Sequence, residues 1–172
     1  TSGQAYGMAF DIGTTTVVGS LHSLRTGEQL ASLAAVNPQA VFGGDLMSRI
    51  AYAQFDQKKL QVLRGRILNQ INDFIEKMTR ETAVAPEHIY KIVMAGNTCM
   101  HHLCLGIDTS YLGLAPYAPV VRDPIVVPAG EIPLKRAPNA RVCFLPILAG
   151  FVGADTIAGI IATRIYESEG IR

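Results

Sequence analysis

The stretch FDIGTTTVVG, residues 10–19, decides the fold. An apolar run ends in an acid, Asp11, and a glycine and three threonines follow before a second apolar run begins. Gly7 to Asp11 reads as a first strand. Thr15 to Ser23 reads as a second, because Val17, Gly19 and Leu21 alternate with Val18, Ser20 and His22. Gly13, Thr14 and Thr15 form the tight turn between them. Such a turn presents backbone N–H groups and hydroxyls to an anion. A carboxylate at a strand end cannot bind phosphate itself, but it can hold Mg²⁺, usually through water, and the metal then bridges phosphate oxygens. The same residues also suit an ordinary hairpin.

Working outward, LRTGE (residues 24–28) turns the chain into a third strand over Glu28 to Val36, and Pro38 stops it. Asp45 is an N-cap candidate for a helix carrying Leu46, Ile50 and Ala53 on one face. A longer helix is expected from Gln57 to Thr82, with apolar residues from Leu60 to Met78 at steps of three and four. IYKIVMAG (89–96) is a strand ending in Gly96, and NTCMHHLCLG (97–106) a short helix capped by Asn97. Residues 107–140 hold six of the nine prolines. They read as an ordered insertion, since apolar residues persist through it. RVCFLPIL (141–148) is a further strand, and GFVGAD leads into a last helix from Asp155 to Glu167. The order β-β-β-α-β-α-β-α predicts an α/β ribonuclease-H-like lobe: a mixed five-stranded sheet with flanking helices, an antiparallel meander followed by parallel strands.

Bulk composition narrows the function. At 172 residues, 49% of them apolar, the chain can bury a sizeable core. A net charge of +1 argues against a nucleic-acid partner. No apolar run reaches the ~20 residues that span a bilayer, so no membrane partner is expected. The N-terminus lacks the basic and apolar regions of a secretory signal. Three cysteines without framework spacing suggest a reducing, cytoplasmic setting.

Four segments in this order, YGMAFDIGTTTVVGSLHSLRTGE, NPQAVFGGDLMSRI, VMAGNTCMHHL and LPILAGFVGAD, resemble the C-terminal ATPase part of the reductive activators of corrinoid enzymes. The turn at Asp11, Gly13, Thr14 and Thr15 is similar to the first phosphate motif of the wider actin, sugar-kinase and heat-shock ATPase superfamily. The resemblance implies an activator that uses ATP to return a corrinoid protein from inactive Co(II) to Co(I). It implies an electron supplied through a ferredoxin-like [2Fe-2S] domain. It also implies nucleotide and Mg²⁺ held between two similar lobes. No ferredoxin cysteine set and no second D-x-G-T turn occur in these 172 residues. The expectation is therefore a single lobe, residues 1–172, the first half of a two-lobe ATPase domain and inactive when isolated, with the second lobe and the cluster domain elsewhere.

Asp155 follows Gly150 and Gly153. By analogy with sugar kinases it acts as base or water positioner; Asp is also a good helix N-cap. In the AGNT turn, Gly96 and Asn97 can turn backbone N–H groups toward a ligand or simply cap a helix. In CMHHLC, Cys99 and Cys104 point about 140° apart on a helix. Each Cys–His pair offers two ligands, so packing with partly exposed histidines is expected rather than a metal. Arg49 can face a partner, a phosphate or solvent. Alternatives remain: a non-catalytic interaction module, a small-molecule phosphotransferase lobe, and a nuclease, the last disfavoured because Asn97 stands where an acid is needed.

Overall fold

The computed structural model describes residues 4–167. The meander is present: β1 (Tyr6–Ile12), β2 (Thr16–Ser23) and β3 (Gln29–Val36) pair antiparallel in succession. Two helices follow, α1 (Leu46–Ala53) and α2 (Gln57–Thr82). Asp45 caps α1 in a reciprocal capping box with Ser48, and Asp56 caps α2 by accepting from Lys58 and Lys59 N–H. These caps satisfy N–H groups that each helix leaves without an internal partner. The chain then enters β4 (Ile89–Gly96), which lies parallel to β1, and α3 (Thr98–Leu105).

Among the described residues the sheet has six strands, not five. The sixth comes from inside the proline-rich segment, where β5 (Ile125–Pro128) pairs antiparallel with β6 (Arg141–Phe144). The order across the sheet is β3-β2-β1-β4-β6-β5. β5 is an edge strand, and at an edge a proline removes no ladder hydrogen bond that the sheet needs. β6 stops at Phe144 rather than Leu148, and the last helix, α4, covers Ala154–Thr163 before one 3₁₀ turn.

The long α2 buries Leu60, Leu63, Ile67, Ile71, Phe74, Ile75 and Met78, the stripe its spacing predicts. That stripe packs on the sheet residues Met8, Phe10, Ile12, Val17 and Leu21 in one core. Burying such a side chain contributes about 1.5–3 kcal/mol, so α2 fixes which face of the sheet is the core. The consequence for function is positional. Because β1 and β4 are parallel neighbours, with Asp11 beside Ala95 and Ile12 beside Gly96, both deliver their carboxyl ends to the same edge. In open α/β sheets that edge is where ligands bind.

Candidate functional site

Three loops meet at that edge: the turn after β1, the turn between β4 and α3, and the entry to α4. Glycines permit the approach. A Cβ on Gly96 would lie 2.7 Å from the Ile12 carbonyl oxygen, and one on Gly153 would lie 2.4 Å from Asn97 Cα. Gly96 therefore serves close packing of backbone on backbone. Asn97 caps α3, its side chain accepting from Met100 N–H at 3.0 Å, while its Nδ2 donates to Thr14 Oγ1 at 3.1 Å. One side chain thus joins the end of β4 to the β1–β2 turn.

Asp11 is exposed, and its carboxylate accepts no hydrogen bond among the described residues. Its pKa is raised, by burial of the carboxyl first and by the charge of Asp155 second. The charge of Asp155 thus acts on Asp11. Asp155 lies in the first turn of α4, where it accepts from Thr156 N–H at 2.8 Å; the helix N-cap is Gly153, so Asp155 is not the cap. Neither acid forms an ion pair among the described residues. Two oxygen donors of like charge without a basic partner suit a hard dication. Two carboxylates and room for water fit Mg²⁺ better than a full protein cage would. No group of three or more His, Cys, Asp or Glu that could hold a metal occurs among the described residues.

The β1–β2 turn is held from behind. Gly13 N–H donates to the Thr16 carbonyl at 3.0 Å and closes the turn. The Gly13 carbonyl accepts from Asn37 Nδ2 at 2.8 Å, the Thr14 carbonyl from Arg49 Nη2, and the Thr15 carbonyl from Asn37 N–H at 2.8 Å. In a trans peptide the carbonyl and the following N–H point in opposite directions. Drawing the Gly13 and Thr14 carbonyls inward thus turns the Thr14 and Thr15 N–H groups outward. Neither donates to a partner among the described residues. Two adjacent N–H groups without a partner among the described residues, on the same edge of the sheet as Asp11, are donors of the kind a phosphate accepts from.

Asn37, Gln39 and Arg49 are fully buried. Arg49 Nε donates to the Gly43 carbonyl at 2.9 Å and Nη1 to Gln39 Oε1 at 3.4 Å, and Gln39 in turn donates to the Leu63 carbonyl at 2.9 Å. So Arg49 faces neither solvent nor a partner. Sequence reading missed Asn37 and Gln39 as members of the site. The one available signal was two amides flanking Pro38 where the meander ends.

The CMHHLC histidines are buried, contrary to the expectation of partial exposure: His101 is 4% exposed and His102 0%. His102 Nδ1 meets the Thr98 carbonyl and its Nε2 accepts from Val120 N–H at 3.1 Å, so it ties α3 to the proline-rich segment. Burial pushes the Cys99 and Cys104 thiols up to about 12, which leaves them inert.

Residues 6–168 match the family model described as the RACo middle region. The chain is 38% identical over 156 residues to a protein of Eubacterium limosum called corrinoid activation enzyme RamQ, an alignment covering 91% of this chain and 26% of that protein. A solved structure called reductive activator for corrinoid, iron-sulfur protein superposes with a TM-score of 0.95 at 38% identity, covering 99% of this chain and 27% of that one. The chain thus spans about a quarter of the length of these relatives. The segments that carry the resemblance include the turn, the amides behind it and both acids, and the chain belongs to the RACo middle region family.

Proposed function

We propose that this chain is the first lobe of an actin-like ATPase domain, with a ribonuclease-H-like core, in a reductive activator of a corrinoid iron-sulfur protein. The single observation that carries the reading is the turn at Gly13–Thr15, whose Thr14 and Thr15 N–H groups face outward beside Asp11 and Asp155. The names of the relatives supply the biological setting.

In this reading the Thr14 and Thr15 N–H groups and the Thr14 and Thr15 hydroxyls bind a phosphate that ADP and ATP share. Asp11 would hold Mg²⁺ through water, and the bound ion would supply positive charge against the phosphate oxygens. Asp155 orients the attacking water. Asn97 and Gly96 set the turn against the end of β4. A second lobe, outside this chain, closes the nucleotide site. Hydrolysis there is coupled to a one-electron reduction, Co(II) plus one electron giving Co(I), with the electron supplied from a [2Fe-2S] domain also outside this chain. The three cysteines are free thiols, consistent with a cytoplasmic protein. No described helix is long and apolar enough to cross a membrane. A non-catalytic interaction role is favoured by one observation, the exposed apolar α4 with Ile160 and Ile161, and both roles can reside in one lobe.

Asp11→Asn in the full-length protein tests the reading. Asn keeps the size and suits a turn, but lacks the charge that draws a hard cation. ATP hydrolysis and Co(II)-to-Co(I) reduction are expected to fall a hundredfold or more, with an unchanged circular dichroism spectrum. Wild-type rates in a folded D11N protein would remove the metal role.

A further inference from the structure

The phosphate turn stands on a buried cation. Arg49 is among the largest fully buried side chains of the molecule; among the described residues no carboxylate forms a direct ion pair with it, and Asp45, one turn back at the α1 N-cap, acts on it only through space. Its guanidinium contacts are neutral: the carbonyls of Gly43 and Thr14, the Gln39 amide oxygen and Met100 Sδ. A buried charge normally has an ionic partner, because desolvation is costly without one. Here the positive charge lies directly behind the peptide that displays the Thr15 N–H to the open side.

We infer that Arg49 is the positioning residue of the phosphate turn: its fork fixes the Thr14 carbonyl inward, so that the N–H groups face the ligand, and its charge is compensated when a phosphate binds on the far side of that peptide. Asn37 does the same for the Gly13 and Thr15 carbonyls, and Gln39 fixes Arg49 in turn. This rests on the reading of the turn as a phosphate site, and it adds residues that never touch the nucleotide. It also makes Asn37, just after β3, and Arg49 in α1, 35 residues from Thr14 in sequence, part of the ligand site. A turn held only by its own residues would splay when two or three N–H groups converge on one anion. A turn anchored through three consecutive carbonyls is preorganised, and little ordering remains to oppose binding.

The test is Mg-ADP titration calorimetry on the full-length protein, with thermal melts as the folding control. Arg49→Met, which removes fork and charge, is expected to weaken Mg-ADP binding tenfold or more. Arg49→Lys, which keeps the charge and one donor, is expected to fall between Met and wild type. That graded rescue separates positioning from a merely structural role, in which both variants fail alike. If R49M does not fold, Asn37→Ala carries the test with the same expected tenfold loss. Asp11→Asn is run beside them. Binding within twofold of wild type in folded R49M or N37A, while D11N is impaired, overturns the role of Arg49; so does R49K no better than R49M. Unchanged Mg-ADP binding in D11N as well overturns the phosphate-site reading itself.

Discussion

At the scale of single residues, polar burial is what the structure adds to the sequence. His101 is the sharpest case: neither ring nitrogen has a hydrogen-bond partner among the described residues, and the ring lies edge-on to Phe144 and beside His102. Burial, then the charge of His102, lowers its pKa to about 4. In the unfolded chain a histidine titrates near 6.5. Between those values the unfolded state binds the extra proton and the native state does not, so stability present above pH 6.5 is lost as pH falls toward 4. The expected loss is about 3 kcal/mol. His101→Leu removes both the titration and the unpartnered nitrogens, so its melting temperature is expected to fall less between pH 7 and pH 4 than that of the parent. Parallel acid dependence in the two proteins would show that His101 already has a proton partner. Arg49 teaches the related lesson. On an amphipathic helix an arginine reads as a solvated face, and its true partner, the Thr14 carbonyl, is invisible to a helical periodicity because it belongs to another element. The turn after Asp11 was legible for the opposite reason: acid, glycine and threonines lie within five consecutive residues.

Among the elements, those with strong periodicity or sharp punctuation could be read directly. The stripe of α2, the caps Asp45 and Asn97, and the hairpin from Gly7 to Ser23 are all dictated locally. β5 was not, because four residues ending in proline offer too little alternation, and only pairing with Arg141–Phe144 makes them a strand. The placement of α4 also depends on a remote contact. Its N-cap, Gly153, presses on Gly96 and Asn97, and its interior Gly159 has nothing within 4 Å of a would-be Cβ. The two glycines predict opposite outcomes. Gly153→Ala forces backbone apart at the site and is expected to cost about 1–3 kcal/mol. Gly159→Ala meets open space and improves helix propensity, for a gain of up to about 1 kcal/mol. Urea denaturation of both variants checks this, and a G153A protein as stable as its parent would show that α4 can shift away from β4.

For the molecule as a whole, the site is built from one side only. The β1–β2 turn, Asn97 and the start of α4 form a floor, with Asp11, Thr15 and Asp155 exposed above it. The positive charge nearest the turn, Arg49, lies below that floor and cannot reach a transferring phosphoryl group. Phosphoryl transfer depends on placing nucleophile, metal and phosphate from several directions, with water excluded so that electrostatic contacts keep their strength. A floor supplies some binding and little of that placement. On the proposed reading, the 172-residue chain alone is expected to bind Mg-ATP weakly and to hydrolyse it at least a hundredfold more slowly than the full-length protein. α4 gives the same picture, with Ile160 and Ile161 exposed beside the site rather than packed in the core. A malachite-green phosphate assay on both proteins, with calorimetry for binding, decides the matter. Comparable turnover by the two would mean that Asp11, Asp155 and the anchored turn are a complete catalytic apparatus, and that closure from above contributes nothing to the chemistry.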